Sequence, residues 1–155
     1  MQTEDISVSC VNRFEPLTLV TEEDECSSTL AQHSETEQDP WRELRLYRSK
    51  NVQKMIIGAL NINSIRNKFS NVEYILENDF IDCFSILESK LDDSFPDSQF
   101  YVKGYNLFRQ DSTSTSGGII TWVRNDIANC RRYDFEINDV NIQSLCLEIN
   151  VQKEK

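Results

Sequence analysis

The sequence predicts an α/β domain whose mixed sheet opens on a β-α-β unit, preceded by a disordered acidic segment. Three observations carry that expectation. Two apolar runs of strand length, MIIGALNI from Met55 and DCFSIL from Asp82, flank a stretch with helical spacing. Beyond Tyr105 the chain turns into strand-like runs separated by turn-rich segments. Residues 1–40 hold ten acids and one base, Arg13, for a net charge of −9, whereas residues 41–155 hold sixteen acids and fifteen bases, net −1.

In chain order, residues 1–40 are rich in Ser, Thr, Glu, Asp and Gln, with VTEEDECSST at their centre. Such a segment buries too little apolar surface to offset the entropy of ordering it, and is read as a solvated linker. WRELRLYRSK places Trp41, Leu44 and Arg48 at helical spacing, a lead-in helix and linker over 41–54. MIIGALNI is nearly continuous in apolar residues, the form of a strand covered on both faces. Ser64 then reads as a helix cap, with Ile65, Phe69, Val72, Tyr74, Ile75 and Leu76 as the apolar positions of a helix reaching about Asn78. DCFSIL is a second buried strand, parallel to the first because a helix intervenes. YNLFRQ from Tyr105, GGIITWVR from Gly117 and IQSLCLEI from Ile142 are further strands, paired antiparallel across segments such as DSTSTSGG. One helix layer against this sheet leaves apolar strand faces that need another layer.

Composition excludes several classes. The five cysteines, at 10, 26, 83, 130 and 146, form no CxxC pair, and the one histidine, His33, lies in the acidic segment. Neither a zinc site nor a disulfide framework is indicated, and Cys83 and Cys146 read as small core residues. No segment resembles a signal peptide and no run approaches the roughly 20 apolar residues of a membrane span. The expectation is an intracellular protein of cytoplasm or nucleus, without a membrane partner and with reduced thiols.

Ligand groups of open α/β sheets gather at the carboxyl ends of strands. The first strand ends in Asn61 and Asn63 and the second in Glu88, so parallel neighbours would bring these side chains to one edge. A carboxylate with an amide oxygen suits Mg²⁺, which takes few protein carboxylates and keeps several waters. Arg66, Lys68 and Lys90 stand nearby as cations for phosphate. From spacing alone the plainer alternative stays open: turn-forming asparagines, and a solvated Glu88 beside Lys90. Trp122 and Tyr105 either stack on bases or belong to the core, and alternating aromatics in strands favour the core.

LNINSIRNKF from Leu60, ILESKLDDSFPDSQF from Ile86, GYNLFRQD from Gly104 and SGGIITWVRND from Ser116 occur in one order and at set intervals. Together they resemble the amino-terminal half of an endonuclease/exonuclease/phosphatase domain, over about Met55 to Val151. More narrowly, the blocks are similar to the apurinic-type endonuclease domain of non-LTR retrotransposons. The resemblance implies a partial four-layer α/β sandwich of the DNase I-like type that nicks DNA with Mg²⁺ or Mn²⁺. It implies that Glu88 coordinates the metal, that Asn61 supports it, and that both are catalytic. Asn63 matches a second polar position that is often acidic, Arg66 and Lys90 match basic positions near the scissile phosphate, with Lys90 also steadying Glu88, and all three are expected to bind nucleic acid. Arg109 and the Ser116–Gly118 turn match a nucleic-acid-facing surface.

The later blocks of that family, which bring the water-activating acid and an essential histidine, have no counterpart here, and His33 precedes the first block. The expectation is therefore a truncated phosphodiesterase domain, inactive alone, derived from a mobile element in which a reverse transcriptase is the associated partner. The alternative is a non-catalytic remnant, at most a weak nucleic-acid or protein binding module. Action on a small phosphate ester is a third reading that these blocks favour less.

Overall fold

Two parallel strands joined through one helix organise the sheet, as the apolar runs predict. The computed structural model describes residues 39–150 apart from 138 and 140, so nearly all of the acidic segment lies outside the described residues. The first strand, β1 (Ile57–Asn61), pairs in parallel with β2 (Cys83–Leu87), Ile57 opposite Cys83 and Asn61 opposite Leu87. The helices are α1 (Arg42–Lys50) and α2 (Phe69–Glu77), the second forming the crossover between β1 and β2. Antiparallel to β2 runs β4 (Ile119–Arg124), and antiparallel to that β3 (Tyr105–Gln110), giving a mixed sheet of order β1-β2-β4-β3. A separate two-stranded sheet joins β5 (Ala128–Arg131) to β6 (Leu147–Asn150).

The helices share one face of the sheet. Val72, Ile75 and Leu76 of α2, at spacings of three and four, pack with Phe84, Ile86, Ile120 and Trp122, and Trp41 and Leu44 join the same cluster from the α1 side. Phe69 meets Phe100 edge to face at 5.3 Å and stacks on Trp122 at 6.0 Å. Trp122 is fully buried and donates its indole N–H to the Phe100 carbonyl at 2.9 Å. Tyr105 is buried and donates to the Ile81 carbonyl at 2.8 Å. Both aromatics are therefore core residues with satisfied polar tips.

On the other face, β5–β6 lies over the β3–β4 half. Asn106 Nδ2 donates to Asn129 Oδ1 at 3.2 Å, and Arg131 Nη1 donates to the Arg109 carbonyl at 2.6 Å. The β1–β2 half of that face is less covered: Ile57 and Leu87 remain 53% and 41% exposed. The described chain is thus α/β, with two helices on one side of a four-stranded sheet and two short strands on part of the other.

Four local expectations are corrected. The crossover helix begins at Phe69, not at Ser64, because the amides of Ser64 and Ile65 donate to the carbonyls of Glu88 and Ser89 and so continue the β1–β2 ladder. The regular part of β1 is Ile57–Asn61, shorter than Met55–Ile62. Strand β6 starts at Leu147 rather than Ile142, since the Cys146 amide is taken by the Glu136 carboxylate and Ile142 pairs with Asp139 in an isolated bridge. Cys83 is buried as expected, whereas Cys146 is only half-buried.

Candidate metal and phosphate site

Past the carboxyl ends of β1 and β2 the backbone remains paired on both sides. The Ile62 amide donates to Leu87 O at 3.1 Å and the Ser64 amide to Glu88 O at 2.8 Å. From the other side, the amides of Ser89 and Lys90 donate to the carbonyls of Gly118 and Gly117 at 3.1 and 2.9 Å. Residues 88–90 are therefore held between the 62–65 segment and the Gly117–Gly118 turn. Holding them there requires unusual backbone. Of five non-glycine residues with positive φ among the described residues, four lie at this edge: Asn63 at 49°, Ser64 at 85°, Glu88 at 56° and Lys90 at 54°. Each costs about 1 kcal/mol or more for an L-residue, and such costs gather where geometry is constrained by a site.

The side chains follow from this backbone. Glu88, half-buried, accepts the Gly117 N–H on Oε2 at 3.0 Å, and no hydrogen bond within the described residues engages its Oε1. Asn61 turns its Oδ1 onto the Asn63 amide at 3.2 Å, which closes the strand end and leaves that oxygen a second lone pair. The Lys90 ammonium donates to Asn63 Oδ1, and the Lys68 ammonium to the carbonyls of Ile62 and Asn63. Lys90 thus steadies Asn63, while the Gly117 amide steadies Glu88, in place of the Lys90–Glu88 contact that the sequence implied. Arg66 Nη2 bridges two segments, donating to Lys90 O at 3.1 Å and Ser114 O at 2.9 Å, with its guanidinium 4.7 Å from the Phe95 ring centre. Nearby, the Ser94 hydroxyl bonded to Asp92 holds that carboxyl below its usual range.

Asn61, Asn63, Glu88, Arg66 and Lys90 are therefore brought to one edge. Arg109 is occupied elsewhere. Its Nε and Nη2 grip Asp111, Nη1 reaches Asp97 Oδ1 and Phe95 O at 2.7 Å each, and Nη2 also reaches Asp92 O at 3.2 Å. All five N–H donors of a guanidinium are spent inside the protein, and none is left for a phosphate.

Two participants were not legible from strand ends. Gly117 and Gly118, at φ 68° and 86°, supply the amides that face Glu88 and Gln143; their signal is the GG pair itself, which permits left-handed backbone. Gln143 carries no signal in sequence. Among the described residues no group of three His, Cys, Asp or Glu side chains gathers in a metal-binding arrangement. The donors at this edge, the Glu88 carboxylate and the Asn61 amide oxygen, are by type suited to a hard cation that keeps most of its waters and not to zinc. No helix among the described residues is long and apolar enough to cross a membrane. The chain matches no protein-family model and none of the curated proteins.

Proposed function

We propose that the carboxyl edge of β1 and β2 is the metal-side half of a phosphodiesterase site for DNA, in a partial DNase I-like domain akin to the endonucleases of non-LTR retrotransposons. The observation that carries this reading is that Asn61 ends one strand and Glu88 directly follows its parallel neighbour, beside the cations of Lys68, Lys90 and Arg66. Bound Mg²⁺ or Mn²⁺ would offset charge on the phosphoryl group and its leaving oxygen.

The chain's own residues supply position and charge. Glu88, oriented by the Gly117 amide, and Asn61, oriented by its own turn, would hold the cation from the protein side. The ammonium groups of Lys68 and Lys90 and the partly engaged guanidinium of Arg66 favour a phosphodiester across the edge without reading its sequence. One carboxylate cannot both hold a cation and take the proton of an attacking water, and the only histidine, His33, lies outside the described residues. Within the described residues the reading is thus of a half-site that does not turn over alone, with a reverse transcriptase domain as its companion in a parent element.

Calorimetric titration tests the metal assignment. Weak Mg²⁺ or Mn²⁺ binding is expected in the native chain and none in Glu88→Gln, and identical isotherms would overturn it. The lone carboxylate also favours a second reading, a non-catalytic module that binds nucleic acid weakly. Nicking of supercoiled plasmid separates the two, because steady turnover that depends on Glu88 would exclude the non-catalytic module and the inactivity of the chain.

A further inference from the structure

The Gly117–Gly118 turn does more than close the β3–β4 hairpin. Its two successive amides point to acceptors from different parts of the chain: Gly117 N–H to Glu88 Oε2 at 3.0 Å and Gly118 N–H to Gln143 Oε1 at 2.7 Å. There is no slack between them. A Cβ on Gly117 would fall 2.5 Å from Gln143 Oε1, and one on Gly118 would fall 2.4 Å from Ser89 Oγ. The same two residues offer their carbonyls to the amides of Lys90 and Ser89, so the turn is gripped from both sides by the segment that carries Glu88.

Gln143 belongs to the segment leading into β6, and that segment is anchored independently of the turn. The Arg132 amide donates to Cys146 O at 2.8 Å, and the Cys146 amide donates to Glu136 Oε1 at 3.2 Å. Glu136 pairs with Arg131 at 2.7 Å, and Arg131 in turn donates to Gln110 Oε1 at the end of β3. The position of the two-stranded sheet is therefore transmitted to the Gly118 amide through one side chain.

We infer that Gln143 is a positioning residue for Glu88. By holding the Gly118 amide it fixes the plane of the peptide between Gly117 and Gly118, and through the φ and ψ of Gly117 it limits the direction of the Gly117 N–H that orients the carboxylate. The docking of β5–β6 then sets how well the metal edge is formed. This inference rests on the metal reading of that edge, but its first consequence, the coupling of Gln143 to Gly117, is measurable without metal. Partners behind a metal ligand typically change affinity by about 10–100-fold when removed, and a contact acting through one further peptide belongs at the low end.

The test uses the full chain and three variants, Gln143→Ala, Gln143→Glu and Glu88→Gln, with Mn²⁺ titrated by calorimetry and amide exchange followed by NMR. In Gln143→Ala, Mn²⁺ affinity is expected to fall about tenfold, with faster exchange at Gly117 and unchanged exchange at Ile86 in β2, which shows that the fold is intact. Gln143→Glu keeps an oxygen acceptor for Gly118 and is expected to restore both readouts. Native affinity and native Gly117 exchange in Gln143→Ala would overturn the inference while Glu88→Gln still abolished binding, and equal losses in both Gln143 variants would overturn it as well. If the native chain bound no Mn²⁺, the metal reading would fall, with Gly117 exchange alone deciding the coupling.

Discussion

Arg48 of α1 grips the carboxylate of Asp82 with both terminal nitrogens, Nη1 at 3.0 Å from Oδ2 and Nη2 on Oδ1, at the amino end of β2. Asp82 is 3% exposed, and it also accepts Arg124 Nη1 at 3.0 Å and the Ile56 amide at 2.7 Å. The lead-in helix is therefore fastened to the sheet by a buried charge.

Removing Arg48 takes the two-pronged partner from a buried carboxylate and leaves it to the Arg124 Nη1 and Ile56 amide contacts alone. Arg48→Ala is expected to lower stability by about 3 kcal/mol, measured by urea unfolding. Arg124→Ala should cost less, because Arg124 is 32% exposed and Arg48 would still cover the carboxylate. Equal costs for the two variants would contradict that order.

Ser89 Oγ is buried without a hydrogen-bond partner, directly beneath Gly118. Ser89→Ala removes an unsatisfied hydroxyl and is expected to leave stability unchanged or to raise it by about 1 kcal/mol. Gly118→Ala should lose at least about 2 kcal/mol, since a Cβ must occupy left-handed backbone and meet Ser89 Oγ at once. Pairing Gly118→Ala with Ser89→Gly relieves the contact alone. Denaturant midpoints of the three variants would separate the clash from the backbone strain.

The lysines of the carboxyl edge and Arg109 away from it should behave differently towards DNA. Lys68→Ala and Lys90→Ala are each expected to reduce the salt dependence of duplex binding by about one counterion, read by fluorescence anisotropy across a salt series. Arg109→Lys should leave that slope unchanged and destabilise the fold by about 2 kcal/mol, because an ammonium cannot replace a guanidinium that grips Asp97, Asp111 and two carbonyls.

Burial, reinforced by the charge of Asp82, pushes the Cys83 thiol up from about 9 to about 11. The folded chain thus holds this proton more tightly than the unfolded one. The stability it contributes is complete below about pH 9 and is lost as the pH rises towards about 11. Burial also pushes the Tyr105 hydroxyl up, so its effect has the same sign. Unfolding midpoints followed across this range should fall steadily, more gently in Cys83→Ala. At pH 8, iodoacetamide should modify exposed Cys130 well before Cys83.

Much of the sheet was legible because its signals are local. MIIGALNI and DCFSIL became parallel neighbours, and GGIITWVR gave an antiparallel strand at the centre of the sheet. That Asn61 and Glu88 stand at the ends of neighbouring parallel strands followed from the strand pattern. What stayed hidden depends on distant partners. Ser64 looked like a helix cap, and nothing in its neighbourhood announces that its amide is claimed by Glu88. ANCR is too short for its alternation to announce a strand, and its polar Asn129 and Arg131, not Ala128 and Cys130, are the half-buried positions of β5, which its pairing with LEIN defines. Gln143 meets Gly118 across 25 positions, and Asp82 meets Arg124 across 42. Arg109 was misleading for a related reason: an arginine on a strand reads as a free cation until its acceptors are known.

The left-handed residues at the carboxyl edge also mark where this protein could be made sturdier. Glycine at Ser64 or Lys90 would adopt the same backbone without the clash of a Cβ, and thermostabilising selection that ignored activity would be drawn to those positions. Their present occupants concede stability at one end of a sheet whose other end is clamped around Asp82. A search for hardier variants could therefore serve as a functional map, since the positions where gains in melting temperature erase ligand binding would outline the site.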